Sequence, residues 1–183
     1  LAIATVSNSL ALTTNAFVSG SDAIGGFRIF SGSSAANIFV DPNDWPGVVR
    51  VAGDLRADIQ HVSGTTATLV HDPARPGTQP IIIGTIGRSA LIDRLVSEKK
   101  IEAGDVAGQW EAALIQVVNA PLPGVERALV IAGSDKRGTI YAVYELSEQM
   151  GVSPWYWWAD VTPEHKDALF VAPVRQIQRP PSV

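Results

Sequence analysis

The stretch from Ala128 to Asp160, ALVIAGSDKRGTIYAVYELSEQMGVSPWYWWAD, constrains this chain more than any other. Leu129 to Ala132 is a short apolar run suited to a buried strand. Gly133-Ser134-Asp135-Lys136-Arg137-Gly138 is a polar turn with a glycine at each end. Thr139 to Met150 has helical periodicity, and Gly151 supplies its stop. A strand, a charged turn and a helix make an α/β unit. Beyond Ser153-Pro154, the four residues Trp155-Tyr156-Trp157-Trp158 hold three of the chain's five tryptophans. A strand that alternates faces would present such a run on both sides, and large apolar groups on two faces imply cover from elsewhere.

The unit has an echo. Ile81-Ile82-Ile83-Gly84-Thr85 is the most apolar strand, and Gly87-Arg88-Ser89 leads from it into a helix reaching about Lys99. Leu91, Ile92, Leu95 and Val96 form the apolar stripe of that helix. If the two strands run parallel in one sheet, both turns emerge at the same edge. Arg88, Lys136 and Arg137 would then stand close together.

The rest of the chain fits around these two units. Residues 1–26 are rich in Ser, Ala, Thr and Gly, with only Asp22 charged, and read as short strands or an irregular lead-in. Phe27 to Phe30 and Asn37 to Val40 read as strands. Asp41-Pro42-Asn43-Asp44 has calcium-ligand types, but neither the glycine nor the distal glutamate of an EF-hand loop, so it reads as a turn opening a helix. Val48, Ala52, Leu55, Ile59 and Val62 recur at helical spacing behind Pro46, which suits a first turn. Thr65 to Val70 and Trp110 to Val118 complete the expected strands. The residues after Asp160 turn polar and proline-rich and read as a linker. The expectation is an α/β (α+β) domain of two layers. Its mixed sheet carries helices over 46–62, 89–99 and 139–150 mainly on one face, leaving the other face to be covered. Lead-in, domain and linker divide at 1–36, 37–172 and 173–183.

Composition removes several functions. With 183 residues, 46% of them hydrophobic, the chain can bury a core without staples. A net charge of −4 without any Lys/Arg cluster argues against a nucleic-acid surface. The absence of cysteine removes disulfides and thiolate chemistry together. No apolar run approaches the ~20 residues of a membrane span. Leu1 to Leu12 lacks the basic start of a signal peptide, and a chain opening without methionine reads as a processed product. The scattered His61, His71 and His165 give no metal site. Gly84 to Ser89 matches neither nucleotide-binding glycine pattern, and no Gly-x-Ser-x-Gly elbow is present. Nothing points to a cofactor.

One segment speaks more directly. SDKRGTIYAVYELSEQMGVSPWYWWADV resembles the N-terminal domain of glycoside hydrolase family 115, the xylan α-1,2-glucuronidases. The runs Ile81 to Ser89, Gly108-Gln109-Trp110-Glu111 and Pro181-Ser182-Val183 resemble it as well, so the likeness spans positions 37 to 183. It implies an enzyme that removes glucuronic or 4-O-methylglucuronic acid from xylan, secreted to meet its polymer. In that family a downstream (β/α)8 barrel carries inverting chemistry with two carboxylates. This chain holds no convincing acid/base pair, so no catalytic residue is expected in it and alone it should hydrolyse nothing. Its implied partners are the barrel of the same polypeptide and glucuronoxylan or its oligosaccharides, with a homodimer of the intact enzyme left open.

The resemblance also directs attention to both ends of the Thr139 helix. With positions 140, 143, 147 and 150 as the core stripe, Tyr141, Glu145 and Glu148 share the opposite face. Glu148 lies against the helix dipole, which disfavours an exposed carboxylate there by ~0.3–1 kcal/mol. A role at the barrel mouth, accepting hydrogen bonds from sugar hydroxyls, would account for it. At the other end, free N–H groups between Ser134 and Gly138, with Asp135, Lys136 and Arg137, would suit a uronate carboxylate. The rival from another class is a stand-alone carbohydrate-binding or interaction module. It would use Trp155, Trp157 and Trp158 as an aromatic stacking platform.

Overall fold

The structure, a computed structural model, describes residues 16–153 and 162–179. Among the described residues, ten strands and three helices run in the order β1 (Val18–Ser19), β2 (Phe27–Ser31), β3 (Ser34–Ala35), β4 (Ile38–Val40), α1 (Pro46–Ser63), β5 (Leu69–Val70), β6 (Ile81–Thr85), α2 (Ala90–Ser97), β7 (Ala113–Leu122), β8 (Val125–Gly133), α3 (Lys136–Gln149), β9 (Ala168–Val171) and β10 (Arg175–Gln178). Six strands form the central sheet in the order β10-β7-β8-β6-β4-β5. Strands β5, β4, β6 and β8 are parallel, β7 pairs antiparallel with β8, and β10 pairs antiparallel with β7. The sheet is mixed, as expected.

Strand alternation divides the core in two. Ile38, Val40, Ile81, Ile83, Leu129 and Ile131 face α1 and α3, where Val51, Leu55, Ile59, Val143 and Leu146 are buried. Phe39, Ile82, Leu114 and Val130 point the other way, against Leu91, Ile92 and Leu95 of α2. Strands buried on both faces read as unbroken apolar runs, which is why Ile81-Ile82-Ile83 stood out. Two of the three helices therefore share one face. The other face, expected to lack cover from within, is closed by α2 with Ile101 and Val106.

Helix ends follow the sequence closely. Pro46 opens α1, and Gly64 closes it with φ 72°, donating its N–H to Gln60 O. Ser89 caps α2 through Ile92 N–H. Helix α3 begins three residues before the expected Thr139, because the Asp135 carboxylate caps it through Gly138 N–H at 2.8 Å. Its buried residues are Gly138, Thr139, Ala142, Val143, Leu146 and Ser147. Ile140, expected in the stripe, is only half-buried. The reason is close approach. A Cβ on Gly133 would meet the backbone of Thr139, and one on Gly138 would meet Ala112 O, so α3 is turned with these residues inward.

The ends of the chain depart from expectation. Within the 1–36 lead-in, the strand expected over Phe27 to Phe30 is present as β2, but with β1 and β3 it belongs to a second sheet of order β1-β9-β2-β3 that the sequence did not suggest. Phe17, Phe27, Ile29 and Phe30 from this region join the α1/α3 core. The linker reading of 173–183 fails over Arg175–Gln178, which pair with Gln116 to Ala113 as edge strand β10. Two glutamines and an arginine disguised an edge strand, which need bury only part of its surface. Trp110 stands outside β7, which starts at Ala113, and only Leu69–Val70 of the 65–70 segment is strand. No helix of the described residues is long and apolar enough to cross a membrane.

Candidate functional site

Because β4, β6 and β8 are parallel neighbours, the loops that follow them emerge together at the carboxyl edge, where open α/β sheets bind ligands. Between them lies a cleft of about 410 Å³, lined by Trp45 from the first loop, residues 85–88 from the second, and residues 134–137 from the third. Arg88, Lys136 and Arg137 meet there, as the echo of the two units implied.

Short hydrogen bonds bind the loops to one another. Asp44, almost wholly buried, accepts Thr85 N–H and Trp45 N–H, both at 2.7 Å. Asp41 Oδ2 accepts Ala90 N–H at 3.2 Å. Ile86 N–H donates to Gly133 O at 2.9 Å, and the buried hydroxyls of Thr85 and Thr139 stand 2.9 Å apart. Asp41 to Asp44 is thus a turn opening α1, its carboxylates spent on backbone N–H groups. No cluster of three or more metal-ligating side chains occurs among the described residues.

The three cations differ in what holds them. Arg137 is anchored inside the domain: Nε and Nη2 donate to Tyr141 Oη at 3.2 and 2.7 Å, and Nη1 lies 2.7 Å from Glu111 Oε1. Trp110, 65% exposed, flanks the same guanidinium at 5.7 Å. The Tyr141 contact, with Glu111 and Asp135 adding to it, holds the Arg137 pKa above its ordinary value. Arg88 instead lies over the indole of Trp45, 3.7 Å from the ring centroid. Among the described residues, the side chains of Arg88 and Lys136 have no ion pair.

These contacts redistribute the expected roles. Ser134 is tied to β7: its N–H donates to Ala112 O, and its hydroxyl accepts Ala112 N–H at 3.1 Å. Asp135 accepts Gly138 N–H and Glu111 N–H, so the Gly138 N–H is not free for a ligand. Ser134 and Asp135 shape the cleft, and Lys136 faces it with its charge open. Glu148 is exposed, but about 18 Å of helix, twelve residues at 1.5 Å each, separates it from Lys136. The structure does not bring it to the cleft. Trp155, Trp157 and Trp158 lie outside the described residues. Sequence reasoning missed Trp45 and Glu111. Trp45 could have been flagged as the residue before a helix-opening proline, but nothing local marks the buried carboxylate of Glu111.

Neither a protein-family model nor a curated protein matches this chain. A solved structure does: a novel family GH115 4-O-methyl-alpha-glucuronidase with specificity for decorated arabinogalactans. It is 34% identical over 84% of this chain, with a TM-score of 0.67, and the match spans 18% of that protein's own chain. In sequence and in fold, this chain is similar to a part of that GH115 enzyme amounting to less than a fifth of its length.

Proposed function

We propose that the chain is a non-catalytic, N-terminal domain of a secreted (4-O-methyl)glucuronidase. In this reading it packs against a (β/α)8 catalytic barrel of the same polypeptide and lends that barrel's substrate site a positive charge. The supporting observation is the carboxyl-edge cleft, where Lys136 and Arg88 form no ion pair among the described residues. Its nearby carboxylates are occupied: Asp44 and Asp135 accept backbone N–H groups, and Glu111 pairs with Arg137. Two carboxylates poised across a glycosidic bond are what glycoside hydrolysis requires. This cleft offers a uronate its counter-charge and no such pair.

The reducing-side glycan is open between two classes. The resemblance of the sequence is to enzymes acting on xylan, whereas the solved relative is specific for decorated arabinogalactans. Both fit a terminal glucuronic acid as the recognised group. Glu148, at the opposite end of α3, is a separate contact offered to the barrel or its substrate.

The test is hydrolytic. The purified 183-residue chain, incubated with glucuronoxylan and with glucuronate-decorated arabinogalactan, is expected to release no uronic acid, while the longer enzyme carrying it does. Release by the chain alone overturns the non-catalytic assignment.

A further inference from the structure

We infer that Trp45 and Arg88 form the specificity-determining pair of the cleft, a preset guanidinium fork that takes the carboxylate of a glucuronic acid residue. The inference rests on the glucuronidase reading and adds to it Trp45, which the sequence pattern did not single out, and a distinct role for Arg88.

The argument starts from how each cation spends its donors. Arg137 directs Nε, Nη1 and Nη2 to Tyr141 and Glu111, so its fork is filled from within the domain. Arg88 is held by a different means. Its Cζ stands over the Trp45 ring, 3.7 Å from the centroid, a cation–π contact in place of an ion pair. A guanidinium held in this way keeps N–H donors free to meet a carboxylate in bidentate fashion. Among the described residues, no side chain or carbonyl accepts from the Arg88 side chain, and no acid pairs with it.

The platform beneath Arg88 is itself fixed. Trp45 N–H donates to Asp44 Oδ1 at 2.7 Å, and Asp44 is buried and tied to Thr85. Pro46 follows at once and opens α1, so Trp45 sits at a rigid loop-to-helix junction. A fork held in place before the ligand arrives loses less freedom on binding than a swinging lysine. Lys136 lines the same cleft, with its stem beside Gly47, where a Cβ would stand 3.8 Å from Lys136 Cδ. It supplies the second charge. Two cations around an aromatic plane discriminate a uronic acid from the corresponding neutral hexose, because only the acid satisfies the fork.

The experiment is a titration of the 183-residue chain with sodium glucuronate, with glucose and with inorganic phosphate. Binding is read by calorimetry and by the side-chain Nε–H resonance of Arg88. Glucuronate is expected to bind and to move that resonance, glucose to do neither, and phosphate to compete weakly. Arg88→Lys, which keeps the charge and removes the fork, is expected to weaken glucuronate binding about tenfold or more at unchanged Tm. Trp45→Ala should weaken it as well by releasing Arg88. An unmoved Arg88 resonance in the wild-type chain overturns the inference without recourse to any variant. Wild-type affinity in Arg88→Lys overturns it too, as does phosphate bound as well as glucuronate. None of these results touches the non-catalytic assignment, which is judged separately by hydrolysis with and without the longer enzyme.

Discussion

Arg137, which lines the cleft, and Glu111 meet at 2.7 Å, the acid 5% exposed and the arginine mostly in solvent. Glu111 reaches this position with φ 51°, a left-handed conformation that non-glycine residues seldom adopt. Its Oε1 makes no hydrogen bond of proper geometry, so the ion pair is what compensates the buried carboxylate. Arg137→Ala should therefore lower Tm, by stranding a buried charge. Adding Glu111→Gln should restore much of the loss. Thermal unfolding of the two single variants and the double variant measures the coupling, and an unchanged Tm in Arg137→Ala contradicts it.

Gly138 gives a prediction of unusual sign. Replacing a glycine inside a helix by alanine ordinarily stabilises it by up to ~1 kcal/mol. Here the added methyl meets Ala112 O, a backbone atom just before β7 that cannot swing aside. Gly138→Ala should destabilise by about 1–3 kcal/mol, read from chemical denaturation.

Asp44 holds two loops with one side chain. Asp44→Ala removes the acceptor of Thr85 N–H and Trp45 N–H, leaving a buried donor on β6 without a partner. A loss of about 1–3 kcal/mol is expected. The fluorescence of Trp45 should change with it, measured against a Trp45→Phe control.

Asp58 on α1 carries the pH dependence. Burial pushes its carboxyl above the ordinary value of 3.8, and the neighbouring Ser147 hydroxyl and His61 only partly offset this. A raised carboxyl pKa means that the fold disfavours the ionised form. Its contribution to stability is fully present below pH 3.8 and is lost as the pH rises through the raised value. Asp58→Asn should therefore raise Tm at pH 7, and the difference should shrink as the pH falls towards 4. An equal difference at both pH values would contradict it.

What the sequence revealed depended on how local the cause was. The β6 and β8 units were legible because each is a short apolar run followed by a glycine turn, and both causes lie within ten residues. From them the meeting of Arg88, Lys136 and Arg137 followed. The start of α3 was not legible, since Gly138 looks like a helix breaker until Ala112 is known to leave no room for a side chain. Which cations stand without an ion pair among the described residues was hidden for the same reason. Tyr141 lies one turn from Arg137 in sequence, but Glu111 is delivered by a different strand. Strand β10 went unseen because an edge strand can be as polar as Arg175-Gln176-Ile177-Gln178.

The account stands most directly on Lys136, the sequence-predicted residue whose charge the cleft leaves open. In the longer glucuronidase proposed to carry this chain, kcat/KM for release of 4-O-methylglucuronic acid is to be measured for wild type and Lys136→Ala, with Tm alongside. Loss of an unscreened partner for the substrate carboxylate predicts a fall in kcat/KM of about tenfold or more at unchanged Tm. Wild-type kcat/KM in a natively folded Lys136→Ala enzyme would contradict the central claim that this cleft reads the uronic acid.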